Sequence, residues 1–164
     1  MKNIYKKYNF LEQHEIDYLN ELCKNFVVNE FQIYDMHYIN SDELLDYKNK
    51  INEYVTSTYG KRYVMMMPWI NKVTPTSVDS DSFHFDESVL SFVTYFNLDF
   101  EGGEFEYHDE NSNKIVITPQ INLSLVMNNR LWHRIRKVTS GERYSLVTFF
   151  KLTSEYDKKE KSIL

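Results

Sequence analysis

The 164-residue chain reads as an α+β protein that is mainly β: a double-stranded β-helix, or jelly roll of cupin-like type, with an N-terminal pair of supporting helices. Three observations predict this. Apolar residues before position 60 recur at helical spacing, those after 62 fall in short β-branched and aromatic runs, and turn residues separate those runs. Helices packed on one side of a doubled sheet satisfy both patterns.

The first helix is read from residues 10–30, where Leu11, Ile16, Leu19, Leu22 and Phe26 are separated by polar positions. "FQIYDMHYI", 31–39, alternates as a short strand. Ser41 with Asp42 and Glu43 forms a helix start, and Leu44, Leu45, Tyr47, Ile51, Tyr54 and Val55 continue one face until Gly60 stops it. Two helices are therefore expected to open the chain. Eight strands are then expected: "RYVMMMPWINKV", "SFHF", "VLSFVTYFNL", "GEFEYH", "KIVIT", "NLSLVM", "LWHRIRKV" and "RYSLVTFFKL". "EGG" (101–103), "ENSN" (110–113), "TPQ" (118–120), the asparagines at 128 and 129 and "SGE" (140–142) mark turns between them. The length suits one domain, 1–152, with a helical buttress at about 10–60, a core at about 62–152, and a charged tail at 153–164.

No apolar run approaches 18 residues and "MKNIYKKYNF" is not a signal peptide, so the expectation is a soluble, cytoplasmic protein without a membrane role. One cysteine, Cys23, rules out an internal disulfide and a cysteine-built zinc cage, leaving histidine and carboxylate as the ligands for any metal. A net charge of −5 argues against a general nucleic-acid binder. The charge is uneven: residues 79–110 hold ten Asp or Glu and no Lys or Arg, whereas 114–164 hold ten Lys or Arg and four Asp or Glu. Solvated faces explain this, and an acidic approach to a site for a cationic or neutral substrate explains it too.

His84 and Asp86 lie two apart on an expected strand, so they share one face while Phe83 and Phe85 take the other. His133, in a late strand, is the best third ligand. Two histidines and one carboxylate on one face of an octahedron leave three open positions, the pattern suited to non-haem iron(II). His14, His37 and His108 fit surface or structural roles. In "GERYSLVTFF", Arg143 and Ser145 share a face. A guanidinium turned into a barrel is costly unless an anion meets it; a carboxylate ligand would, with the Ser145 hydroxyl adding a hydrogen bond. The competing placement puts Arg143 outside, paired with Glu142.

The series "HFD", "FVTYFNLDFEGGEFEY", "LWH" and "VTSGERYSLVTFF" resembles the iron(II)- and 2-oxoglutarate-dependent dioxygenases, most closely the branch of prolyl 4-hydroxylases and lysyl hydroxylases, over residues 62–152. The resemblance implies that His84, Asp86 and His133 bind iron, that Arg143 and Ser145 hold the distal carboxylate of 2-oxoglutarate, and that Tyr95 touches the same co-substrate. Tyr95 is equally readable as a core aromatic. It implies O2 as second co-substrate, ascorbate as an optional reductant, and hydroxylation of an unactivated C–H bond as 2-oxoglutarate is decarboxylated to succinate and CO2. Relatives often carry a tyrosine just before the proline ahead of the metal motif; here Val73 stands there, and "VDSDS" lengthens the loop. Trp69, Met65, Met67 and Trp132 are expected either in the pocket or in the core. The branch suggests a prolyl or lysyl residue or a free amino acid as substrate, with a nucleobase a further option that the acidic charge disfavours. A non-catalytic cupin-like metal-binding or sensing module is the rival; it has no need of Arg143.

Overall fold

The computed structural model describes residues 4–25, 35–77, 82–128 and 130–154, without the side chains of 35–37. Calls that fall at 26–34, 78–81, 129 and 155–164 lie outside the described residues, among them Phe26, much of the 31–39 strand and the charged tail.

A strand, β1 (Ile4–Tyr8), precedes the helices, against the expectation that helices open the chain. Its sequence "IYKKY" buries only Ile4 and exposes lysines, as an edge strand does, so it lacks the alternation that betrays a strand. Next come α1 (Gln13–Lys24), β2 (Asp35–Tyr38), a 3-10 turn at Asp42–Leu44 and α2 (Leu45–Tyr59). Ser41 Oγ accepts the Glu43 N–H at the start of that turn, and Gly60 (φ 92°) ends α2 as expected. Leu45, read on the apolar face, is instead half exposed.

The remaining strands are β3 (Tyr63–Met65), β4 (Trp69–Val73), β5 (Leu90–Tyr95), β6 (Phe100–Gly102), β7 (Phe105–His108), β8 (Lys114–Ile117), β9 (Leu123–Asn128), β10 (His133–Ile135), β11 (Val138–Gly141) and β12 (Arg143–Leu152). Two expected strands each split in two, at Met66–Pro68 and after Ile135, and "SFHF" is no strand but a single bridge of His84 with His133. The large antiparallel sheet runs β1-β9-β5-β12-β4-β2, with β3 also on β12; a smaller sheet runs β10-β7-β8, and β11 pairs with β6. The fold is the expected mainly β jelly roll with two helices.

Each face of the large sheet has its own core. On one, Ile70, Phe92, Leu146 and Phe150 pack with Leu19, Leu44, Tyr47, Ile51 and Val55 of the helical layer. At roughly 1.5–3 kcal/mol for each fully buried large apolar side chain, this face fixes the helices against the sheet. The buried Tyr47 hydroxyl meets Thr148 Oγ1 (3.1 Å) and Thr94 Oγ1 (3.4 Å), and burial pushes its pKa up to about 12. On the other face Tyr95, Leu123, Leu125 and Met127 pack with Phe105, Ile117 and Leu131. Alternation puts Arg143, Ser145, Val147 and Phe149 on this second face. Among the described residues no helix is long and apolar enough to cross a membrane.

Candidate active site

His84 is joined to His133 by two backbone hydrogen bonds, N–H to O at 2.8 and 3.1 Å. The one-residue bridge sets both imidazoles side by side, ring centroids 4.5 Å apart. Asp86, two residues on, returns to the same side, as the sequence spacing predicts. Its Oδ1 lies 3.9 Å from His84 Nε2 and 3.7 Å from His133 Nε2, and one ligand atom from each residue lies within 4.8 Å of the others. These separations are too long for hydrogen bonds and suit three ligands around a central cation.

The tautomers agree with that purpose. His84 Nδ1 sits 3.0 Å from Ser82 O and His133 Nδ1 sits 2.9 Å from Leu131 O, so each Nδ1 carries the proton and each Nε2 lone pair faces the cluster. Burial lowers the His133 pKa, outweighing the pull of Asp86, and keeps this imidazole neutral, the form a metal needs. His84 is half exposed while His133 is buried, so the cluster opens on the His84 side.

Phe83 braces the short ligand segment from behind. Its ring stacks on Trp132 at 5.9 Å, meets His108 at 4.9 Å, and has the Arg134 guanidinium 4.7 Å above it. Phe85 lies 4.7 Å from Trp132. Trp132 therefore packs on the phenylalanines that flank His84; Met67 is half exposed, and Met65 packs on the helical core. Only Trp69 of that group stands on the site face, edge-on to Phe149 at 4.7 Å. His108 packs against the Phe83 ring with its Nε2 buried and without a hydrogen-bond partner among the described residues, His14 is exposed 3.8 Å from Asp46, and the His37 side chain lies outside the described residues.

Arg143 is completely buried on the site face, which excludes an outside pairing with Glu142. Glu142 turns the other way, its Oε1 2.6 Å from Lys72 Nζ and its Oε2 accepting the Tyr144 hydroxyl at 2.6 Å. Arg143 Nε donates to Gly103 O (3.0 Å) and Nη1 to Ser145 Oγ (3.2 Å), and the guanidinium lies 5.0 Å over the Tyr95 ring. Among the described residues neither its Nη2 nor the buried Tyr95 hydroxyl has a hydrogen-bond partner. A buried cation with a spare N–H next to a spare O–H is a donor set suited to an anion. A carboxylate fits that donor set, and the three-ligand cluster on the same side of the sheet fits a metal ion. Val73 lies opposite Arg143 in the β4–β12 register and is buried, so this part of the wall is apolar.

Two supports escaped the sequence reading. Gly103 (φ 68°) would place a Cβ 2.9 Å from Arg143 Cδ, so only glycine lets the arginine pass and offers its carbonyl. Asn97 grips both neighbours of Arg143, its Nδ2 donating to Glu142 O (2.8 Å) and its Oδ1 accepting the Tyr144 N–H (2.9 Å). "EGG" was read as a turn, whereas Glu101 and Gly102 belong to β6, and "YFN" was read as a strand end; the contact of either with Arg143 depends on the fold. Cys23 is half-buried, and burial pushes its thiol up to about 12, so it is no nucleophile.

Residues 73–151 match the sequence profile of the 2OG-Fe(II) oxygenase superfamily. The match covers 79 of the 164 residues and places the segment from Val73 to Lys151 in that superfamily. A 2OG-Fe(II) oxygenase is an enzyme that uses Fe(II), 2-oxoglutarate and O2, and the donor sets described above fit the first two. Solved structures agree on the fold. A viral collagen prolyl hydroxylase of Paramecium Bursaria Chlorella virus-1, solved with 2OG, is 17% identical with a TM-score of 0.70, over 92% of this chain and 96% of that one. A prolyl-4-hydroxylase of Pseudomonas putida is 14% identical at TM-score 0.73, over 92% of both chains. A prolyl hydroxylase of Trichoplax adhaerens, in complex with a hypoxia inducible factor oxygen degradation domain peptide fragment, is 14% identical at TM-score 0.66, over 93% and 85%. Comparison with curated protein sequences gave no match.

Proposed function

We propose that this 2OG-Fe(II) oxygenase hydroxylates an unactivated C–H bond of an amino-acid unit, a prolyl residue first, with a lysyl residue or a free amino acid as the alternatives. Decarboxylation of 2-oxoglutarate to succinate and CO2 accompanies the step. His84, Asp86 and His133 would hold the iron, and Arg143, Ser145 and Tyr95 would hold the distal carboxylate of 2-oxoglutarate. Bound iron supplies the activation of O2. The chain's own part is to present two neutral imidazoles and one carboxylate from one side, leaving the other positions open, and to orient the co-substrate from a dry wall of the large sheet.

The observation that carries this reading is the buried Arg143 with its unpartnered Nη2 beside the unpartnered Tyr95 hydroxyl. A metal-only sensor has no use for that arrangement. The prolyl preference draws support from the fold shared with prolyl hydroxylases. Succinate release, measured across prolyl and lysyl peptides, free amino acids and methylated oligonucleotides, tests the substrate. The expected result is a rise over the substrate-free rate with a prolyl peptide. A rise only with oligonucleotides, or with none of the panel, contradicts the reading.

A further inference from the structure

The ligand segment has a second face that the proposed site does not use. His84 and Asp86 turn toward the cluster, so Phe83 and Phe85, which alternate with them, turn away from it. The register carries this alternation across the small sheet: His133 bridges His84, Arg134 of β10 stands opposite Glu106 of β7, and Glu106 stands opposite Val116 of β8. Phe83, Phe85, Trp132, Arg134, Glu106 and Val116 therefore share the outer face of that sheet. The ring contacts agree, since Trp132 meets both phenylalanines and the Arg134 guanidinium lies over Phe83.

Two properties mark this face. It exposes large apolar side chains, Phe85 by 51%, Val116 by 40% and Trp132 by 39%, where a solvated strand face carries polar ones. The rings hold one another, Phe85 at 4.7 Å from Trp132 and Trp132 stacked on Phe83, so they need little further ordering when a partner meets them. Its exposed charge is cationic. Glu106, the acid within these strands on this side, is buried and shared by Arg134 and Arg136, while Lys114, opposite His108, is exposed. The face also adjoins the metal cluster, which opens on the side of His84, the residue between the two phenylalanines. A chain whose reacting residue enters there crosses that edge within a few residues, at about 3.1 Å each when extended as polyproline II.

The face of a sheet offers no backbone hydrogen bonds, so side chains alone must hold an occupant. A proline-bearing segment suits this: it needs no partner strand, loses little freedom on docking, and lays its rings on aromatic side chains. Acidic residues beside the prolines would meet Arg136 and Lys114. We propose that the Phe85–Trp132 face is a docking surface for the flank of a polypeptide substrate, a segment with proline for the rings and acidic residues for the cations. The inference rests on the proposed hydroxylation of an amino-acid unit and narrows that unit from a free amino acid to a residue within a polypeptide. A nucleic-acid strand also uses rings and cations, but the chain's net charge of −5 opposes a polyanion.

The test uses the full-length protein, anaerobic and loaded with Fe(II) and 2-oxoglutarate, and the fluorescence polarisation of dye-labelled peptides that share a central prolyl residue. One peptide has flanks of proline and aspartate, a second of proline and lysine, a third of alanine and aspartate. Wild type should bind the first at least about fivefold tighter than either of the others, the size of one aromatic contact or a pair of exposed ion pairs. Phe85→Ser should weaken the first peptide about fivefold and leave the third unchanged, a selectivity that a general loss of structure would not give. Phe85→Leu, which keeps apolar bulk, should fall between, and Lys114→Glu should weaken both aspartate peptides and tighten the lysine one. Equal affinities in wild type, a Phe85→Ser effect that is absent or uniform over the peptides, or a single-stranded oligonucleotide that binds tighter than every peptide, overturns the inference. Succinate release in air separates the two levels. If the peptides bind in the expected order and none is hydroxylated, the reaction reading has failed and the docking surface stands; if they are hydroxylated with equal kcat/KM whatever their flanks, the docking surface has failed and the reaction reading stands.

Discussion

Arg143 shows how one side chain depends on its neighbours' smallness and reach. Gly103 sits against its Cδ and accepts from its Nε, while Asn97 holds the backbone on either side. Gly103→Ala keeps every ligand and cradle residue but displaces the arginine, and the strain at φ 68° adds to the clash. The expected outcome is a 2-oxoglutarate affinity at least about tenfold weaker, near the loss of one charged hydrogen bond, with iron affinity retained. Titration of the chelate band measures it. At this scale the sequence displayed His84, Asp86, His133, Arg143 and Ser145 because period-2 alternation and residue type are local. Asn97 and Gly103 were not legible as supports of Arg143, since their roles follow from a strand end and a turn folded against a distant strand.

The helical layer is tied together by one buried carboxylate. Glu15 of α1 accepts from Glu12 N (2.9 Å) and, with its other oxygen, from Tyr47 N (2.8 Å) in the first turn of α2. It therefore meets free N–H groups at the starts of both helices, where an anion is favoured. Glu15→Ala leaves both donors unpaired and should cost about 2–3 kcal/mol, read as a lower urea midpoint at unchanged slope. On the outside of the small sheet Glu106, itself buried, takes Arg136 Nε at 2.7 Å and Arg134 Nη2 at 3.3 Å. Arg136 first, then Arg134, hold its carboxyl below its ordinary value of 4.5 against the opposing effect of burial. A depressed folded-state pKa adds stability above that ordinary value and loses it as pH falls toward and through the lower one. Melting temperature should accordingly fall more steeply below pH 4.5 in wild type than in Glu106→Gln, and parallel curves would contradict it. Elements with strong periodicity, such as α2 and β12, were legible in advance. β1 was not, because a lysine-bearing edge buries only Ile4, and "SFHF" was read as a strand because alternation does not reveal that its pairing stops after one bridge.

The whole molecule divides its work between the two faces of the large sheet. One face is covered by helices and closed by aliphatic and aromatic packing; the other carries Arg143, Ser145 and Tyr95, and the trio of His84, Asp86 and His133, whose ligand atoms lie close enough to share a metal ion, sits at the small sheet's edge. The jelly roll was readable because its many turns are short and chemically marked. The depth of the site was not, since it depends on how far the two sheets stand apart. The account's central claim is that the trio and the arginine form one site, bridged by a single small molecule that chelates a metal at one end and meets a cation at the other. Anaerobic titration of 2-oxoglutarate into the Fe(II)-loaded protein tests it most directly. The account predicts a visible charge-transfer band in wild type, no band in His84→Ala or Asp86→Ala, which lose the metal, and a band that returns in Arg143→Ala only at 2-oxoglutarate concentrations at least about tenfold higher. No band in wild type, or an Arg143→Ala titration that overlays the wild-type curve, would contradict it.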